Sequence, residues 1–96
     1  MAEAIVRRAA QADVREAALW YESRRPGLGT EFTLQLDALL DRIAEGPLQF
    51  PEIGGGVRRA LLRRFPYAVY FVVTVRPIVI AVLHQHRHPS AWTERL

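Results

Sequence analysis

The spacing of apolar residues in this chain changes once, near Gly56, and that switch constrains the fold more than any other feature. Upstream of it the repeat is helical. Val14, Ala17/Ala18 and Tyr21 recur at i, i+3/4, i+7 between Ala9 and Arg25, with Arg15, Glu16 and Glu22 off the stripe. Pro26-Gly27 ends that segment. Phe32, Leu36, Leu39/Leu40 and Ile43 form the stripe of a second helix from Leu28 to Ala44, which Glu45-Gly46-Pro47 stops. So short a link between two such helices predicts an antiparallel hairpin. Downstream the pattern is that of strands, at Val57 to Arg63, Tyr67 to Val75 and Ile78 to His86, rich in β-branched and aromatic residues. Short connections make these an antiparallel meander. Ile5-Val6 reads as a short first strand, and Leu48 to Gly56, rich in Pro and Gly, as a loop.

The expected fold is therefore α+β: a short N-terminal strand, an antiparallel two-helix hairpin, then a three-stranded antiparallel meander, in one domain over residues 1–96. A strand with one wet face alternates apolar and polar residues. Tyr67 to Val73 and Ile78 to Leu83 do not. The hairpin covers one face of the sheet, so the second needs its own cover, from the tail around Trp92 or from another chain.

Charge narrows the function classes. All 13 basic residues are arginines. Residues 1–56 hold six of them against nine acids, a net −3; residues 57–96 hold seven against Glu94 alone, a net +6, with all three histidines. A cationic segment of this kind suits nucleic acid, a nucleoprotein machine or an acidic protein partner. There is no cysteine, which excludes disulfides and thiolate metal sites. No apolar run reaches the roughly 20 residues of a membrane span, and Met1 to Arg8 lacks the pattern of a signal peptide. A cytoplasmic protein is expected, without membrane contact.

Arg58 and Arg59 open the cationic segment. Neighbouring strand residues face opposite ways, so only one of the two can serve a given site. Arg63 and Arg64 follow. His84, His86 and His88 share a strand face at period 2; with no carboxylate nearby in sequence to orient them and Arg87 among them, no metal site and no cofactor are expected. Gly54-Gly55-Gly56 lacks the Lys-Ser/Thr sequel of a phosphate loop and reads as a flexible turn. Trp20 and Trp92 read as core or partner anchors.

Across nearly the whole chain these motifs fall in a familiar order. Ala12 to Ala17 with Trp20-Tyr21-Glu22 comes first, followed by Pro26 to Gly29 with Phe32 and by Pro47 to Pro51. Arg58 to Leu61 and Arg64 to Tyr67 with Tyr70-Phe71 come next, and Ala81 to His84 with Arg87, Pro89 and Trp92 last. In this order and spacing they resemble the RelE/ParE toxins of bacterial type II toxin–antitoxin systems, also called plasmid stabilisation proteins. The resemblance implies a partner: a ParD-like ribbon–helix–helix antitoxin whose acidic or amphipathic C-terminal tail wraps the toxin, with Trp20, Leu28, Phe32 and Leu36 as its contacts. It implies one of two targets. ParE-like members are not enzymes and poison DNA gyrase; RelE-like members are ribosome-dependent mRNA endoribonucleases. Target contact then falls to Arg58, Arg59, Arg64, Arg87 and Trp92, and nuclease chemistry to His84, His86, Arg58 and Arg87. In some of the nucleases a His-Tyr pair ends the last strand; here His86-Arg87 stands near that place, and arginine cannot act as a general acid at neutral pH. The expectation is the ParE-like activity. The rivals are the nuclease and a non-toxic module that only forms a complex.

Overall fold

The computed structural model describes residues 3–96. The first strand, β1 (Ile5–Val6), leads into α1 (Arg8–Arg24) and α2 (Leu28–Glu45), a turn of 3-10 helix (Pro47–Gln49), β2 (Glu52–Gly54), β3 (Val57–Leu61), β4 (Tyr67–Val73), β5 (Pro77–His84) and a short α3 (Ser90–Thr93). The helical hairpin forms as the two stripes predict. Ala10, Ala17 and Tyr21 of α1 are buried, as are Phe32, Leu36, Leu39 and Ile43 of α2.

Two local devices set the hairpin. Gly27 starts α2 in the left-handed region at φ 89°, where an L side chain is strained. The Glu22 carboxylate then accepts the N–H groups of Gly27 (2.9 Å) and Gly29 (3.0 Å), so α1 supplies the N-terminal cap that α2 lacks locally. Gly29 is the point of closest approach: a Cβ there would lie 2.6 Å from the Ala18 carbonyl oxygen.

The sheet has five strands in the order β1-β5-β4-β3-β2, which extends the expected three-stranded meander on both sides. β1 pairs with β5 in parallel, Ile5 with Ile78 and Val6 with Val79. β2 lies in the segment read as a loop. It pairs with β3 through a tight turn whose Gly55 and Gly56 adopt φ 59° and 79°, the geometry that favours two-residue hairpins. The glycine triplet is thus the hinge of an edge hairpin. β3 ends at Leu61 rather than Arg63, because Arg64 turns to φ 71° and Phe65 folds back into the core. β4 ends at Val73 and β5 at His84, not at Val75 and His86.

Two apolar layers flank the sheet. On the hairpin side Ala60, Val69, Phe71, Val79 and Val82 meet Ala17, Tyr21, Phe32, Leu36 and Ile43. On the far side Val57, Ala68, Tyr70, Ile80, Ala81 and Leu83 form a second cluster under Ile53, Ala91 and Trp92. Trp92 stacks on Tyr70 with ring centroids 5.8 Å apart. The tail therefore supplies the cover that the non-alternating strands require. Ile80 and Ala81 both face this cluster because the register slips by one residue between Tyr70 and Phe71: Tyr70 pairs with Ala81 and Phe71 with Val79. Ile80 is the extra residue of a β-bulge.

Candidate functional site

Register assigns the arginines to faces. Arg58 lies opposite Phe71 and Arg59 opposite Tyr70, and paired residues share a face. Arg58 therefore sits on the hairpin side, where its Nη1 donates to the Phe50 carbonyl at 2.6 Å. It tethers the segment after α2. Arg59 points to the far face and makes no side-chain hydrogen bond or ion pair among the described residues. Arg59 and Trp92 thus flank Tyr70, with Leu61, 50% exposed, next along the same strand face. A free guanidinium beside a stacked aromatic pair and an exposed leucine is suited to protein recognition.

Arg64 lies elsewhere. Its guanidinium is 3.7 Å from Glu31, which Arg25 also reaches at 2.8 Å, so it belongs to the hairpin tip. Arg87 lines a groove between α1 and the end of β5. The five residues expected to contact a target thus fall in separate regions; the structure brings only Arg59 and Trp92 together.

Of the four residues assigned to an antitoxin, Phe32 and Leu36 are buried under the sheet and offer no surface, since the stripe that patterns a helix is the one it hides. Trp20 is half exposed and Leu28 partly so, and the outer face of the hairpin also presents Leu19 and Leu34.

The three histidines do not share a strand face, because β5 ends at His84. In the following turn Arg87 N–H donates to the His84 carbonyl (3.0 Å) and His86 N–H to His84 Nδ1 (3.1 Å). The His84 and His86 rings come within 5.1 Å, whereas His88 turns to Ser90. Among the described residues no three His, Asp or Glu side chains are grouped to hold a metal ion. Tyr67, which with Phe65 and Pro66 reads from the sequence as strand-start packing, pairs with His84 across β4 and β5 with ring centroids 5.5 Å apart. Arg58 stands opposite Phe71, four residues further along β4, which is roughly 13 Å at strand spacing.

The groove has a volume of about 440 Å³ and is lined by Glu16, Ala17 and Tyr21 of α1, by Tyr67, and by His84 and Arg87 beyond the sheet. Burial raises the pKa of Tyr21, with Tyr67 adding to it. Burial also raises that of Tyr67, reinforced by Glu16 and opposed by Arg87. Both phenols are held neutral, as donors.

Asp13 closes the inner end of the groove. Its Oδ2 accepts the Val82 N–H at 2.9 Å, and both oxygens receive Arg95, at 2.7 and 3.0 Å. Arg95 also donates to the Ile80 carbonyl, the bulge residue, at 3.1 Å. The hydrogen bond to Asp13 raises the Arg95 pKa against the opposing effect of burial. This clamp ties the tail to α1 and to the edge of β5. Its one trace in the sequence is an acid set among Ala10, Ala17 and Tyr21 on the buried stripe of α1.

The family described as the ParE toxin of the type II toxin–antitoxin system parDE matches residues 4–89. Among solved structures, a chain of the "Chromosomal ParDE TA system from P. aeruginosa" shares the fold with a TM-score of 0.77. It is 19% identical, and the match covers 88% of this chain and 96% of that one. No curated protein matches in sequence. With the family matched over most of its length and the fold to go with it, the chain belongs to the ParE toxin family of type II toxin–antitoxin systems.

Proposed function

We propose that this toxin acts by binding DNA gyrase, without cutting RNA, and that a cognate antitoxin silences it. One observation carries the choice of activity: the candidate nuclease residues do not converge. His84, His86 and Arg87 gather at the end of β5, whereas Arg58 is engaged with Phe50 at the other end of the sheet. Acid–base cleavage needs its groups within reach of one scissile phosphate. Binding needs only a surface, and the patch of Arg59, Leu61 and Trp92 is one.

The antitoxin is expected to be ParD-like, covering the exposed Trp20 and the partly exposed Leu28 with Leu19 and Leu34, and to bring acidic residues to the arginine-rich half. A stable complex should bury more than about 1,000 Å². Expression of the toxin without antitoxin should arrest replication and leave mRNA intact, and the purified chain should inhibit gyrase supercoiling in vitro. Cuts at codon positions in ribosome-bound mRNA would overturn this reading in favour of the endoribonuclease, for which Tyr67 beside His84 is the specific structural support. A chain that stays monomeric with the neighbouring gene product and does not arrest growth would refute the toxin–antitoxin assignment for this copy.

A further inference from the structure

The link from β5 to α3 makes two bends, and an imidazole closes each of them. In the first, the Arg87 N–H donates to the His84 carbonyl at 3.0 Å, and the His86 N–H turns back to His84 Nδ1 at 3.1 Å. In the second, the Ala91 N–H donates to the His88 carbonyl at 2.9 Å, and the Ser90 N–H to His88 Nδ1 at 3.1 Å. His88 thus caps α3 where Ser, Thr, Asp or Asn ordinarily supplies an oxygen. An Nδ1 that accepts an N–H carries no proton of its own, so both rings are neutral with the proton on Nε2. The His86 ring takes no such part: it makes no side-chain hydrogen bond among the described residues. Beyond the second bend, α3 sets Trp92 on Tyr70, over the cluster of Ala68, Ile80 and Leu83.

We propose that this link is an acid-sensitive latch, in which protonation of His84 and His88 opens the two bends and releases Trp92 from Tyr70. A protonated imidazole has two donors and no acceptor. Its Nδ1–H then faces the N–H of His86 or of Ser90, donor against donor, so each bend loses a bond and gains a repulsion. Protonating the three rings also sets three charges beside Arg87, all within residues 84–88. The direction follows from linkage. The closed link holds neutral rings and the open link takes up protons freely, so acid favours the open form. Histidine is the side chain whose charge ordinarily changes near neutral pH. The groups around His84 are Tyr67 on β4, the His86 ring at 5.1 Å, and Asp13, Glu16 and Arg87, which line the groove with it. None of them donates to His84 Nδ1 in place of the His86 N–H. His88 faces Ser90, whose hydroxyl lies 3.0 Å from Nδ1, and adjoins Arg87 in the chain. The hold of Asp13 on Arg95 involves no histidine, so the change is confined to the stretch from His84 to Trp92. Trp92 lies in the patch proposed for target contact, so acid also remodels that surface; the opening itself does not rest on that reading.

The test is nuclear magnetic resonance on the full-length 15N-labelled chain, taken from about pH 7.5 to about pH 5. At the upper end the ring nitrogens of His84 and His88 should report a bare Nδ1 and a protonated Nε2, and Trp92 should show a through-space contact to the Tyr70 ring. At the lower end that contact should be lost, and protection of the His86 and Ser90 amides, corrected for intrinsic exchange, should fall roughly fivefold, the scale of one lost cap. Asparagine offers a side-chain acceptor that does not titrate. The double variant His84→Asn with His88→Asn should therefore keep Trp92 on Tyr70 at both ends, whereas His84→Ala with His88→Ala should give the open signals already at the upper end. His86→Asn should follow the parent. A proton on Nδ1 of His84 or His88 at the upper end, a Trp92–Tyr70 contact that persists at the lower end, or the same loss in the asparagine variant would each overturn the proposal.

Discussion

Replacing Asp13 with alanine tests the clamp that holds the tail, and the structure sets the magnitude. The Asp13 side chain is 12% exposed and that of Arg95 27%. Asp13→Ala strips the Val82 N–H of its acceptor, a loss of about 1 kcal/mol where water from the adjoining groove takes its place. It also breaks a bidentate, charge-assisted pair; with Arg95 partly solvated, screening reduces that loss to about 1 kcal/mol. The expected destabilisation is about 2 kcal/mol, a fall in Tm of roughly 8–16 °C for a domain of this size. Arg95→Ala leaves the Asp13–Val82 bond in place and should cost about 1 kcal/mol. The double variant should be less destabilised than the sum, with a coupling of about 1 kcal/mol.

Thermal melting by circular dichroism gives all three values, and near-ultraviolet ellipticity reports whether Trp92 leaves Tyr70. pH does not confound the arginine side. A raised pKa contributes stability at every pH below the ordinary arginine value, and that contribution is lost only as pH rises through the folded value, far beyond the assay range. An Asp13→Ala protein melting within about 2 °C of the parent would show, at the scale above, that water replaces the clamp without loss. Strict additivity in the double variant would show that the two residues act separately.

Gly29→Ala should lower stability by about 2 kcal/mol or more, because the new methyl meets backbone at Ala18 and the helices must part; Gly27→Ala meets nothing and should cost only the left-handed strain, about 1 kcal/mol, so chemical denaturation should rank the two. Arg59→Ala should keep the melting temperature and lose growth arrest, with target affinity down roughly 30-fold. Arg58→Ala should do the reverse, lowering stability through the lost Phe50 contact, and equal toxicity and stability of the two variants would refute the assignment of faces. Tyr21 and Tyr67, both with raised pKa, should ionise above the usual value of about 10 in an absorbance titration at alkaline pH. The folded chain holds those protons more firmly than the unfolded one, so stability should be level below that pH and fall as pH rises through the folded values.

What was legible in the sequence is what one local pattern determines. Phe32, Leu36, Leu39 and Ile43 form a stripe whose period alone requires a buried helix face, and Tyr67 to Val73 forms a run whose lack of alternation requires a sheet covered twice. The rest depends on pairings distant in sequence. β2 carries no strand pattern, since Glu52-Ile53-Gly54 is short and polar at its start; it is a strand because Gly55 and Gly56 turn it onto β3. The histidines share a face only in a strand that reaches His86, and β5 ends at His84. Strand geometry alone makes Arg58 and Arg59 diverge, but which one faces the hairpin depends on their register against Phe71 and Tyr70. The resemblance implies Phe32 and Leu36 as partner contacts, and nothing in an apolar stripe by itself says whether the core or another chain covers it.

The clamp links the edge of β5 to the far face of the sheet. Asp13 satisfies the Val82 N–H at the sheet edge and at the same time holds Arg95, whose chain segment carries Trp92 onto the far face next to Arg59. A charge is one of the devices that protect a sheet edge, and here that charge is neutralised by the tail that it positions. Loss of Asp13 from Val82 would also weaken the hold on Arg95 and so disturb the Arg59–Tyr70–Trp92 patch. One side chain therefore bears on both the sheet edge and the far face, so Asp13→Ala should loosen Trp92 from Tyr70 as well as free the Val82 N–H.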